Sequence, residues 1–123
     1  MDRSEPTPVL LRGHVVFDDS AASFTGATLY VSLQDTSLAD ADAVTVAEQI
    51  TKGVAYDAGA RNTLPFALGG MIPDERAHYT VRVLVDLDGD GRVGHGDFVN
   101  VESYPVLTWG HTHEVSIRVE RVG

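Results

Sequence analysis

Tyr79-Thr80-Val81-Arg82-Val83-Leu84-Val85 runs directly into Asp86-Leu87-Asp88-Gly89-Asp90-Gly91-Arg92-Val93-Gly94-His95-Gly96-Asp97, and Phe98-Val99-Asn100-Val101-Glu102 follows. The first and last segments alternate and are rich in β-branched residues, so both read as strands. The twelve residues between them carry aspartate at loop positions 1, 3, 5 and 12 and glycine at position 6. That is the ligand order of the EF-hand calcium loop. Alternate aspartates on a tightly curled backbone bring three carboxylates to one point. Gly91 permits the sharp turn that aims the Arg92 carbonyl inward. Strands on both flanks exclude a helix–loop–helix, so the expectation is a calcium loop joining two strands.

The spacing predicts one Ca2+ held by Asp86, Asp88, Asp90, the backbone carbonyl of Arg92 and Asp97. Two positions depart from the EF-hand pattern. Asp97 stands where a bidentate Glu is usual, and its shorter side chain reaches less far. Gly94, at position 9, has no side chain, which leaves that place in the shell to a water. The alternative is a solvated acidic turn, since Asp/Gly-rich segments commonly join strands. Four carboxylates this close repel one another without a cation, and Arg92 alone does not neutralise them. The calcium reading is therefore preferred, and the oxygen-only ligands suit Ca2+ better than the strict octahedron of Mg2+.

The chain of 123 residues is one domain's worth, and its hydrophobic fraction of 43% supports a packed core. A net charge of −9, with no Lys/Arg cluster, makes the chain a poor candidate for nucleic acid or an anionic membrane, and that partner class is rejected. There is no cysteine, so there is no disulfide, thiolate metal site or cysteine nucleophile. No apolar run approaches the length of a membrane span, and Met1–Pro8 lacks the apolar stretch of a signal peptide. Residues 1–8 read as a loose tail and 9–123 as a single domain.

Period-two patterning continues along the chain. Leu11, Val15 and Phe17 share one face of a first strand, and Leu29, Val31 and Leu33 one face of a second. Val44–Ile50 makes a third, because Val44-Thr45-Val46 outweighs its Ala/Glu content, and Leu64, Phe66 and Leu68 mark a fourth. The pair around the aspartate loop makes five and six, and Val115, Ile117 and Val119 a seventh. Loops are expected at Asp18–Ser20, Leu38–Ala43, Tyr56–Asn62, Gly69–Gly70 and Ile72–Asp74. Seven short alternating strands predict an all-β fold, an antiparallel β-sandwich of immunoglobulin-like size.

Leu33-Gln34-Asp35-Thr36-Ser37-Leu38-Ala39-Asp40-Ala41, Val46-Ala47-Glu48-Gln49, Leu64-Pro65-Phe66, Tyr79-Thr80-Val81-Arg82 and Tyr104-Pro105-Val106-Leu107-Thr108 together resemble the YbaY-like family. These small bacterial envelope lipoproteins are grouped with the type III secretion pilotin domain. The resemblance spans about Arg12 to Val119. It implies a β-sandwich of the envelope, with some members guiding outer-membrane secretins. The lipobox cysteine usual in the family is missing from this sequence, and the pattern does not require the aspartate loop. No pilotin contact residue can be carried across.

Nothing here spells an enzyme. No nucleophile elbow, P-loop or dinucleotide fingerprint is present. His111 and His113 would face the same side of a strand and could bind zinc only with a third ligand. Tyr104 and Trp109 could stack a sugar if exposed and coplanar, whereas a lone Trp more often packs into a core. The expected function is a non-enzymatic, calcium-braced β-sandwich module of the bacterial envelope. The alternatives are a pilotin-like chaperone taking a partner peptide at a sheet edge or groove, and a carbohydrate-binding module.

Overall fold

The computed structural model describes residues 9–37, 43–72 and 74–122. Within these, eight strands follow in order: β1 (Val9–Phe17), β2 (Phe24–Asp35), β3 (Val44–Tyr56), β4 (Leu64–Gly69), β5 (Tyr79–Asp86), β6 (Phe98–Asn100), β7 (Pro105–Val106) and β8 (Glu114–Arg121). The all-β class and the seven expected strands are present. The eighth, β7, is only two residues long and begins with a proline, which has no N–H to give a ladder. The expected tail at 1–8, and most of the expected loop at 38–43, lie outside the described residues.

The strands do not divide into two sheets. They form one hydrogen-bonded path, β3-β2-β5-β6-β8-β1-β4, with β7 beside β5. The sheet curls until β4 approaches β3, giving a nearly closed barrel in place of the expected sandwich. Two features of the β2–β3 hairpin bend it. The pairing slips between Phe24 and Thr28 and again at Leu33/Gln34. Gly26 and Gly53 also take φ of 70° and 73° beside the first slips, a left-handed conformation that side-chain-bearing residues disfavour. Bulges of this kind increase local twist and curvature. The antiparallel expectation needs one correction as well. β1 and β8 pair in parallel, Arg12 with Glu114 through Phe17 with Val119. Parallel neighbours need a long connection, and here the whole intervening chain supplies it.

One face of the curled sheet is the core. Leu11, Val15 and Phe17 of β1, Leu29, Val31 and Leu33 of β2, Leu64, Phe66 and Leu68 of β4, Val81, Val83 and Val85 of β5, and Ile117 and Val119 of β8 are all buried. Gly13 belongs to this face for a packing reason. A Cβ there would stand 2.0 Å from the Val115 carbonyl and 2.8 Å from the Phe66 ring. The interior is therefore filled by side chains, as in other small barrels. Phe17, Phe24, Tyr56 and Phe98 close one end, with Phe17 edge-on to Phe98 at 5.0 Å.

Side chains complete the ladder at two places where strands do not. At the seam between β3 and β4, Ala67 donates its N–H to Gln49 Oε1 at 2.8 Å. Along β5, β6 pairs only with Leu84 and Val85 and β7 only with Tyr79 and Thr80. The Asn100 amide fills the interval. Its Oδ1 accepts the Val83 N–H at 2.8 Å, and its Nδ2 donates to the carbonyls of Val81 and Glu102. At the end of β2, Asp35 Oδ1 accepts the Ser37 N–H, and Ser37 Oγ accepts the His78 N–H, tying β2 to the start of β5.

Asn100→Ala should cost about 1–3 kcal/mol in chemical denaturation, because it orphans the Val83 N–H and the Val81 carbonyl. Asn100→Asp, which keeps the acceptor for Val83, should lose less. The Ser37 backbone and side-chain hydrogen bonds, with a smaller contribution from His78, hold the Asp35 carboxyl below its ordinary 3.8 against a weak opposing effect of burial. A lowered folded pKa gives stability that is complete above the unfolded value and lost as pH falls through the folded one. Melting temperature should therefore drop more steeply for the wild-type chain than for Asp35→Asn as pH falls below 3.8.

Candidate functional site

The aspartate loop begins where β5 ends. Asp86 is the last residue of that strand and is fully buried, as is Asp97 at the other end of the loop. Local hydrogen bonds shape the segment. Asp86 Oδ1 accepts the Gly89 N–H at 3.0 Å and Oδ2 the Gly91 N–H at 2.7 Å. Asp88 accepts from the Asp90 N–H, and Asp90 from the Arg92 N–H. Asp97 spans the loop, taking the Leu87 N–H on Oδ1 and the Gly94 N–H on Oδ2, both at 2.9 Å. Gly89 and Gly91 turn with φ of 79° and 73°, as the spacing requires. The far end is pinned to the chain beyond β8, where Gly96 N–H meets the Val122 carbonyl and Val122 N–H meets that of Asp97.

All four predicted carboxylates converge. One oxygen from each of Asp86, Asp88, Asp90 and Asp97 lies within 4.8 Å of the others. None of the four is ion-paired among the described residues, and the exposed Arg92 makes no ion pair there either. Burial pushes the Asp86 carboxyl up, but the Gly91 N–H, a hydrogen bond with the Asp88 carboxyl and the Gly89 and Asp88 N–H groups outweigh it and hold it down. Asp88 is displaced upward, chiefly by that same hydrogen bond with Asp86. The two are too close to ionise independently. A Cβ at Gly94 would stand 3.8 Å from Asp97 Oδ2 and 3.9 Å from Asp88 Oδ2, so position 9 borders the cluster. The donor set is oxygen only, which fits a hard cation and not zinc or copper.

The loop also shapes a surface that the sequence did not signal. It folds toward the outer face of β2, so that a Cβ at Gly91 would lie 3.7 Å from the Tyr30 hydroxyl. Val93 then walls two adjoining depressions. One, of about 490 Å³, runs beside Thr80, Arg82, Val99, Val101 and Glu102. The other runs beside Tyr30, Ser32, Thr45, Glu48 and Leu84, and both include Gln34 and Arg82. Val93 is 47% exposed and Val101 63%. Only contact across the sheet assembles these residues. The available signal was the recurrence of valine at 93, 99 and 101, beside the outward-facing Leu84.

The remaining candidates separate. His113 Nδ1 lies 3.4 Å from the Leu10 carbonyl, and among the described residues no third ligand gathers on His111 and His113. Tyr104 is half-buried, with its hydroxyl accepting the Arg118 N–H at 3.0 Å. Trp109 is exposed and stacks on His78, with centroids 5.5 Å apart and planes at 14°. Tyr104 and Trp109 therefore do not make the joint platform considered for a sugar.

A comparison with curated proteins gives no match. Among solved structures, the fold is similar to an alternative pilotin from the type II secretion system of Vibrio cholerae. The identity is 28%, the TM-score 0.73, and the likeness covers 92% of this chain and 96% of that one. The model of the type III secretion system lipoprotein chaperone (YscW) family matches residues 7–119. That match takes in every strand but the last two residues of β8, and the chain belongs to this family.

Proposed function

We propose that this domain is a pilotin-like chaperone of the bacterial envelope. It binds a segment of an outer-membrane secretion partner in the groove beside the Asp86–Asp97 loop, and one Ca2+ braces that loop. The observation that carries the reading is the family match over residues 7–119, supported by the likeness to a type II secretion pilotin. The proposed action is binding alone. The groove has the character peptide recognition needs. Exposed valines offer apolar pockets, and Arg82, Gln34 and Thr80 offer polar contacts that fix orientation.

Calcium enters through Val93. The loop carries both the carboxylate cluster and this groove wall, so an ion on Asp86, Asp88, Asp90, Asp97 and the Arg92 carbonyl would hold Val93 in place. Its chemistry there would be charge neutralisation and rigidity, and the buried Asp86 and Asp97 would anchor it to β5 and β6. A cation that binds only the folded chain stabilises it by about 2.7 kcal/mol at a hundredfold excess over its Kd. Millimolar calcium outside the cytoplasm suits even a weak site.

Calorimetry on chelator-treated protein should find one Ca2+ per chain and a raised Tm, with both effects abolished in Asp88→Ala. Absence of heat and of a Tm shift at millimolar calcium would reduce the loop to an acidic turn and leave the chaperone reading intact. Overlapping peptides covering the secretin of the same cell should include one that binds the wild-type chain. Val101→Asp and Val93→Asp should each weaken it about tenfold or more without lowering Tm. Binding that is indifferent to both substitutions would remove the groove from the proposal.

A further inference from the structure

The two depressions beside the aspartate loop hold charged side chains in a fixed order. Arg82 borders both, with Glu102 in one and Glu48 in the other. All three are exposed, and none is ion-paired among the described residues. Register fixes their spacing. Arg82 pairs with Ser32 on β2, and Ser32 with Glu48 on β3, so the three share the outer face. Glu48 therefore stands two strands from Arg82, about 10 Å at the usual strand separation. The Asn100 amide sets the other side. Its Nδ2 donates to the carbonyls of both Val81 and Glu102, which keeps Glu102 at the edge of β5 next to Arg82. Across the strands the surface runs negative, positive, negative.

An apolar row lies beside this charged one, two residues along the strands. Leu84 pairs with Tyr30, Tyr30 with Ile50, and Leu84 on its other edge with Val99. Ile50 is 52% exposed. β2 and β5 have partners along both edges, so an occupant of this face does not add to the sheet as a strand. It is recognised through side chains.

A segment seated on the apolar row covers Arg82, which has no carboxylate of its own in contact with it. A charge taken out of water without a partner is strongly unfavourable, so the occupant must supply a carboxylate there. Over Glu48 and Glu102 the same argument calls for cations, and a carboxylate in either place is repelled. A wholly acidic occupant is excluded by the two glutamates. A wholly basic one leaves Arg82 covered and unpaired.

We propose that the groove selects its occupant by this charge order. The bound segment of the secretion partner sets an acidic side chain on Arg82, between basic ones on Glu48 and Glu102, with apolar side chains along Leu84 and Tyr30. The inference rests on the groove reading given under the proposed function and names what that groove recognises. A separation of about 10 Å spans about three residues of an extended segment or about seven of a helix. The base that meets Glu48 therefore stands at one of those two distances from the acid that meets Arg82.

Overlapping peptides covering the secretin of the same cell are the probe, with affinity read by fluorescence anisotropy. The peptide that binds should carry an acid with a base about three or about seven positions away. Replacing that acid by lysine should weaken binding about tenfold or more. Arg82→Glu should weaken the parent peptide to a like extent with Tm unchanged, since Arg82 has no ion pair to lose. The lysine-bearing peptide should bind the Arg82→Glu chain more tightly than the parent peptide does, a rescue that a merely structural role would not give. Glu48→Lys should show the same reciprocity with a peptide whose matching base is made acidic. Parent binding indifferent to Arg82→Glu, or a loss that the reversed peptide does not rescue, would overturn the charge order. Val93→Asp and Val101→Asp would in that case still weaken binding if the groove itself is the site. A series in which no peptide binds would overturn the groove and the charge order together.

Discussion

β5 has a hydrogen-bonding partner along both edges, and most of the molecule is positioned by that constraint. β2 pairs with it residue for residue from Thr28–Asp86 to Asp35–Tyr79. On the other edge, β6, the Asn100 amide and β7 share the work in sequence. A strand so fully paired has no slack in register, and its inward residues, Tyr79, Val81, Val83 and Val85, are all buried. Thr80, Arg82 and Leu84 must then face outward into the groove, and Asp86 must emerge at a fixed point as the first residue of the loop. Groove floor and carboxylate cluster are consequences of one strand's register.

The same pairing explains why the sheet closes on itself. Among the described residues, with β5 covered on both sides and β8 paired in parallel to β1, the strands at the two ends of the path are β3 and β4. The slips and left-handed glycines of the β2–β3 hairpin bend them toward each other until Gln49 bridges the gap. Closure hides most of the exposed ladder that an open sheet would offer to other chains. The interior is packed with side chains, so binding is left to the outer face, where the aspartate loop leans over β2 and raises Val93 beside Arg82.

The molecule is polarised along the barrel axis. Acidic loops gather at the end closed by Phe17, Phe24, Tyr56 and Phe98, where Leu87 and Val93 are also exposed, and Val9, Val44, Met71 and Trp109 are exposed at the other. The proposed groove lies on the side between the two ends.

Local periodicity carried a great deal in this sequence. Alternation of apolar and polar residues is a property of a few neighbouring side chains, so seven strands, and the inward faces of β1, β2, β4 and β8, were legible without a fold. The spacing of Asp86, Asp88, Asp90 and Asp97 is also local, and the glycines between them dictate the turn that gathers the carboxylates. The runs from Leu33 to Thr108 that resemble pilotin-like lipoproteins pointed to the family that the chain-long match then established. What the sequence could not determine was how the strands were ordered. Whether two faces belong to two sheets or to one curled sheet depends on pairing between distant residues. The parallel contact of β1 with β8, the Gln49 seam and the Asn100 bridge join segments with no sequence signal for one another. The groove at Val93 and the exposure of Trp109 depend on the same long-range contacts. Only the tertiary structure decided them, because each is a property of which strands meet and not of any one strand.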